Sequence, residues 1–141
     1  MSPTPSRFRL VIFDWDGTVM DSAATIVACM RTSLADLDIP PLGDDRLRST
    51  IGLGLDAVLA NLLPDASPEL RGRVVERYRH HWLSTYYDKP IPFEGIGEAL
   101  EQLQRRGHVM AVATGKGRAG LDRDLAQCDL QRFFAATRTV N

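Results

Sequence analysis

No run of apolar residues in this chain approaches the length needed to span a bilayer. Cysteine is equally scarce. Cys29 and Cys128 stand apart, without the C-x-x-C spacing of thiol metal or redox motifs. They read as buried thiols in a reducing compartment, although sequence alone leaves one disulfide open. Charge of one sign is missing too: a formal net charge of −1 gives no electrostatic case for nucleic acid or an acidic membrane as partner. Residues 1–9 carry Pro and Ser but no apolar signal core, which makes the cytoplasm the expected location. There is no internal repeat and no low-complexity segment. What remains is 141 residues, 44% hydrophobic and 25% charged, enough for one ordinary core and a small appended module.

The most informative stretch follows the apolar run Leu10-Val11-Ile12-Phe13. It reads Asp14-Trp15-Asp16-Gly17-Thr18. A short apolar run bounded by Gly reads as a buried strand. Open parallel sheets place their ligands just past the C-terminal ends of such strands, where the two carboxylates stand. Alternate residues of an extended backbone point to opposite sides, so Asp14 and Asp16 can take different tasks. Gly17 gives the turn backbone freedom and Thr18 can hold it through a local hydrogen bond.

Helical spacing dominates the next stretch. Asp21 and Ser22 form a plausible N-cap pair before Ala23, Ile26, Val27, Met30, Leu34 and Leu37, and Pro40 and Pro41 end that helix. A short periodic piece (Leu47, Thr50, Ile51) leads into Gly52-Leu53-Gly54, which reads as an interhelix turn. Leu55, Val58, Leu59 and Leu62 mark another short helix. Ser67 and Pro68 look like an N-cap with Pro at the first helical position. Behind them Leu70, Val74, Tyr78, Trp82 and Tyr86 recur every four residues, predicting one long helix whose aromatic residues are core. His80 and His81 are adjacent, do not share a helix face, and make a poor metal pair. Residues 90–95 (Pro-Ile-Pro-Phe-Glu-Gly) break the pattern.

The chain then returns to strand and helix. Ile96, Ala99, Leu100 and Leu103 predict a helix with Gly107 at its C′ position. Val109 to Ala113 reads as a second buried strand, Leu121, Leu125 and Cys128 as a helix, and Phe133 to Ala136 as a third strand. Strand, helical insertion, helix, strand, helix and strand make a parallel α/β core interrupted by a helical module. After the second strand, Thr114-Gly115-Lys116 repeats the logic of the first motif. A hydroxyl and backbone N–H groups there can donate to phosphate oxygens, and a following helix N-terminus adds favourable polarity. Lys116 can bring a positive charge near the phosphate.

Taken together, Phe13 to Ser22 (F-D-W-D-G-T-V-M-D-S) and the Thr114 motif resemble the haloacid dehalogenase-like superfamily, in its phosphoglycolate phosphatase-like branch. The resemblance implies a partial Rossmann-like parallel-sheet core (residues 1–21 and 89–141) carrying an inserted α-helical cap (residues 22–88). It implies Asp14 as nucleophile and Asp16 as general acid/base, with Asp14 and Asp16 also holding Mg²⁺. Phosphate binding falls to Thr114, with Gly115 and Lys116 beside it. The substrate-facing cap loop falls near Gly52, Leu53 and Gly54, and Pro92 to Gly95 resembles the hinge returning the chain to the core.

The implied activity is hydrolysis of a small phosphorylated metabolite, phosphoglycolate-like, through an aspartyl-phosphate. The carboxylic acid at position 16 favours phosphoryl transfer over the dehalogenase branch, whose corresponding position lacks it. A sugar-phosphate mutase of the same superfamily uses the same two acids and is the nearest alternative. A noncatalytic α/β interaction module is the alternative from another class. Complete members carry a basic third motif and an acidic fourth motif further downstream, whereas residues 131–141 hold no carboxylate side chain. The resemblance therefore implies a C-terminally truncated chain with little Mg²⁺-dependent activity of its own. It also implies a core edge beside the first strand through which copies can self-associate.

Overall fold

The computed structural model describes residues 7–86 and 90–141, without the side chain of Tyr86. Three short strands, β1 (Leu10–Phe13), β2 (Val109–Ala113) and β3 (Phe134–Arg138), form one parallel sheet in the order β1-β2-β3. Leu10 pairs with Val109 and Phe13 with Val112, whereas an irregularity between Met110 and Ala111 shifts the β2–β3 register. Strand alternation sorts the side chains. Met110 and Val112, with Val11 and Phe13, pack on Leu100, Leu121, Leu125 and Phe133. The alternate residues Leu10, Ile12 and Val109 are exposed.

The covering residues come from α5 (Ile96–Arg105) and α6 (Arg118–Cys128). Gly107, at φ +84, ends α5 as expected: its N–H donates to Gln104 and that of His108 donates to Leu103, the paired bonds of a Schellman cap. The third strand begins one residue later than its sequence suggests. Phe133 closes a 3₁₀ turn (Gln131–Phe133) and is buried under the sheet.

Among the described residues between β1 and α5 lie four α-helices: α1 (Ala23–Ala35), α2 (Asp44–Arg48), α3 (Leu55–Leu62) and α4 (Pro68–His81). They share a separate hydrophobic cluster, with Val27, Met30, Leu34, Leu47, Leu59 and Val74 buried together. Ser67 caps α4 as its sequence predicts, its Oγ accepting from Leu70 N at 3.2 Å with Pro68 at the first helical position. The single long helix does not persist. At Trp82 the chain changes to a π-helical turn (Trp82–Tyr86), which breaks the four-residue stripe. The expected place of the Tyr86 side chain in that stripe lies outside the described residues.

The chain leaves for the helices and returns from them side by side. Met20 bridges Asp16 on one side and Pro92 on the other. Asp21 N–H donates to Ile91 O at 2.7 Å, and Phe93 N–H donates to Val19 O at 3.0 Å. Both crossings are therefore fixed to the turn that carries Asp16.

Candidate active site

The turn after β1 builds itself from local bonds. Trp15 O accepts from the N–H groups of Thr18, Val19 and Met20, and Gly17 N–H donates to Met20 O at 2.8 Å. Gly17 needs its lack of a side chain for conformation, since its φ is +79. Asp14 is exposed, and its Oδ1 accepts from Trp15 N–H at 2.8 Å. Trp15 itself is fully buried, its ring edge-on to Phe134 at 6.1 Å. On either side of this buried ring, Asp14 is exposed and Asp16 keeps 12% of its side chain exposed.

Asp16 is held from two sides. Its Oδ1 accepts from Ser22 Oγ at 2.8 Å and from Lys116 Nζ at 3.3 Å. Ser22 occupies the N-cap position of α1 but makes no side-chain cap bond there, which corrects the expected capping role. Its hydroxyl is turned to Asp16 instead.

The turn after β2 is assembled differently. Thr114 N–H donates to Arg138 O at 3.0 Å, and Thr114 Oγ1 accepts from Lys116 N–H at 3.1 Å. That bond uses the hydroxyl oxygen and leaves the hydroxyl proton to donate elsewhere. It also commits one of the backbone N–H groups expected to face phosphate. The start of α6 is likewise capped from within, because Arg118 N–H donates to Asn141 Oδ1 at 2.9 Å. The Lys116 side chain is 12% exposed, and its ammonium lies 3.3 Å from Asp16, 3.5 Å from Asp124 and 4.8 Å above the Trp82 ring.

The loop Gly52-Leu53-Gly54 sits directly on this second turn. A Cβ at Gly115 would stand 2.4 Å from Gly52 O and 2.8 Å from Gly54 N, distances that backbone atoms cannot yield. Gly52, at φ +101, faces Asp14, whose Oδ2 lies 3.7 Å from the Cβ position. The structure thus brings Gly52 and Gly54 to Asp14 and Gly115, residues far apart in sequence. A cavity of about 920 Å³ opens beside them, lined by Asp16, Thr114 and Lys116 and, among apolar residues, by Ile26, Met30 and Trp82; Asp14 stands outside its lining.

Four contributors escape a reading of motifs alone. Ser22 is disguised as a helix cap, and Asn141 acts across 23 positions. Trp82, expected as core, instead stacks on Tyr78 at 5.9 Å and presents its ring to Lys116 and the cavity. Asp124 had a signal: it interrupts the apolar stripe Leu121, Leu125 and Cys128 of α6 as a carboxylate on the buried face. Burial pushes the Tyr78 phenol well above its ordinary value, with smaller contributions from Cys29 and Asp16. Burial also pushes the Cys29 thiol up to about 12, too high for a thiolate nucleophile near neutral pH. Both cysteines are free, and no described helix is long and apolar enough to cross a membrane.

Residues 11–140 match the sequence profile of the haloacid dehalogenase-like hydrolases. Over 110 residues the chain is 34% identical to a phosphoglycolate phosphatase of Aquifex aeolicus, covering 77% of this chain and 49% of that one. Over 116 residues it is 29% identical to an N-acetylmuramic acid 6-phosphate phosphatase of Pseudomonas aeruginosa, covering 78% and 49%. The crystal structure of a hydrolase from Pseudomonas syringae superposes with a TM-score of 0.81 at 25% identity, covering 95% of this chain and 61% of that one. The chain spans about half the length of the curated relatives it matches. By the match along nearly its whole length, this chain belongs to the haloacid dehalogenase-like hydrolase family.

Proposed function

We propose that the protein bearing this chain is a phosphomonoesterase that works through an aspartyl-phosphate. The observation that carries the reading is the convergence of two strand-end turns, one holding Asp14 and Asp16, the other Thr114, beneath Gly52-Leu53-Gly54. Relatives named as phosphatases act in the same direction. The helical segment, residues 22–88, serves as a cap on a core of residues 1–21 and 89–141. Its separate hydrophobic cluster and the paired crossings at Met20 and Pro92 support that division.

Asp14 is the nucleophile, exposed and steadied through Oδ1 by its neighbour's N–H. It attacks phosphorus in line, forming an acyl-phosphate bond as the P–O bond to the alcohol breaks. Asp16 gives its proton to the departing alkoxide, then takes one from the water that cleaves the acyl-phosphate, so free phosphate leaves and both acids return to their starting states. Ser22 holds the Asp16 carboxyl in place between these two tasks. Thr114 donates its hydroxyl proton to a phosphate oxygen.

Mg²⁺ fits as an open site rather than a closed cage. The Asp14 carboxylate and the Asp16 carbonyl are oxygen donors of the right kind, while no group of three or more His, Cys, Asp or Glu capable of holding a metal occurs among the described residues. Phosphate and water commonly complete such a site. When bound, the ion supplies charge neutralisation at the phosphoryl oxygens.

A small phosphorylated metabolite is the substrate class. The cavity of about 920 Å³ is far larger than a two-carbon acid needs, and its wall is largely apolar. That observation favours a bulkier organic group such as a sugar, and keeps a sugar-phosphate mutase as second reading. The test is a panel of phosphomonoesters, from aryl phosphate through phosphoglycolate to hexose phosphates. It is run with Mg²⁺ on the protein expressed from its natural reading frame, with the 141-residue chain alongside. Release of inorganic phosphate is expected. An isomerised sugar phosphate without net phosphate release selects the mutase, and no phosphoryl chemistry on any substrate overturns the reading.

A further inference from the structure

We infer that Asp124, a residue outside both site turns, is the positioning residue that fixes those turns to each other. Among the described residues it is the one charged side chain in the buried set, at 4% exposure. A carboxylate taken out of water is tolerated only when paired and hydrogen-bonded. Its pairing here is specific. Oδ2 accepts from the Trp15 indole N–H at 3.1 Å and lies 3.5 Å from Lys116 Nζ, while Oδ1 lies 3.5 Å from Arg123.

Each of the first two partners belongs to a different site turn. Trp15 stands between Asp14 and Asp16, so the indole bond anchors the peptide that carries both carboxylates. Lys116 belongs to the Thr114 turn, and its ammonium continues from Asp124 to Asp16 at 3.3 Å. Lys116 and Arg123 supply the two cationic groups beside Asp124. The ammonium also rests on Trp82, at the start of the π-helical turn leading out of the helical segment. One carboxylate on α6 therefore sets the spacing between the two turns and, through Lys116, their contact with the helical segment. Its partners Trp15 and Lys116 reach it from the two site turns.

The inference rests on the phosphatase reading for its consequence in catalysis, but its geometry is testable without turnover. The chain has two tryptophans, Trp15 and Trp82, and both touch this network. In a ¹H–¹⁵N spectrum of the 141-residue chain their indole N–H groups give two resonances. Asp124→Asn, close in shape but uncharged, is expected to move both: Trp15 through its altered hydrogen bond, Trp82 through the displaced Lys116. Lys116→Met is expected to move Trp82 strongly, and adding it to Asp124→Asn to change Trp82 little further, because the two residues act as a unit. A folded Asp124→Asn chain with unchanged indole resonances, or effects of the two substitutions that simply add, overturns the inference.

If Asp124→Asn unfolds the chain, Trp15→Phe serves instead. It removes the indole donor and must displace the remaining Trp82 resonance by way of Asp124 and Lys116. An unmoved Trp82 overturns the inference. In the protein from its natural reading frame, Asp124→Asn is expected to lower kcat about tenfold or more with KM little changed, because alignment rather than ground-state binding is lost. An active enzyme whose kcat is untouched removes Asp124 alone. Shifted indoles in a protein with no phosphoryl activity remove the phosphatase reading and leave the geometric inference standing.

Discussion

The glycines of the two strand-end turns, Gly17 after β1 and Gly115 after β2, are required for different reasons. Gly17 holds a φ of +79, and a Cβ there would meet Ile51 only at an ordinary 3.9 Å. Gly115 is the reverse: it carries no strained φ, but a Cβ would collide with Gly52 O at 2.4 Å and Leu53 C at 2.7 Å. One turn is dictated by its own backbone, the other by what lies on top of it. The first turn is thus bonded within six consecutive residues, Trp15 to Met20. The second needs its glycine because the loop at 52–54 packs directly on it.

Gly115→Ala strikes at that difference most directly. The new methyl group meets backbone rather than a flexible side chain, so either the loop at 52–54 lifts or the β2 turn shifts. Overpacking of this kind costs typically about 1–3 kcal/mol. We expect a lower urea midpoint and a phosphatase kcat/KM reduced about a hundredfold, in line with the cost of an ångström-scale misplacement. Unchanged stability and activity would mean that the loop contact is dispensable.

Gly17→Ala gives the matching test of the first turn. The penalty is conformational, about 1–2 kcal/mol for a β-carbon in the left-handed region. Gly17→Asn should be milder, because Asn tolerates that region better. Equal destabilisation by Ala and Asn would point to a steric rather than a conformational requirement.

This contrast also explains how much the sequence disclosed. The Asp14 to Thr18 turn was legible because its strand, glycine and carboxylates are contiguous. The α4 cap at Ser67, the α5 terminus at Gly107 and the strands β1 and β2 were legible for the same reason. Lys116 was not. Its surroundings, Asp16, Asp124 and Trp82, come from three separate stretches, and only the fold reveals that a lysine in a polar turn is largely enclosed. Trp82 matched the helical stripe in spacing, but the change to a π-helical turn rotated the chain there and brought the ring to the cavity. Ser22 fitted a helix cap so well by position that its bond to Asp16 was hidden.

Leu53 separates the roles of the two turns further. It is 48% exposed at the tip of the loop that covers both. Leu53→Ala should leave stability within about 0.5 kcal/mol, as for other surface positions. Its effect is expected on substrate preference, read as kcat/KM ratios across the phosphomonoester panel. Equal losses on every substrate, a minimal aryl phosphate included, would assign Leu53 a structural role instead.

The smallest effect is expected far from either turn, at Asp36. His81 and Arg77 hold its carboxyl below the usual range, with His81 the larger influence. A lowered carboxylate pKa contributes stability above the unfolded value, and that contribution fades as pH falls through the folded one. Asp36→Asn should therefore lower Tm slightly near neutral pH and converge with wild type in acid. A Tm difference that grows on acidification would contradict the assignment.

The account stands on Asp14 as nucleophile. Rapid acid quench of the protein from its natural reading frame, during turnover of a phosphomonoester with Mg²⁺, followed by peptide mass analysis, tests it most directly. The predicted result is a base-labile phosphoryl group on Asp14, absent from a correctly folded Asp14→Asn protein that also fails to release phosphate. A phosphoryl group on another residue, or near-normal phosphate release by Asp14→Asn, would contradict it.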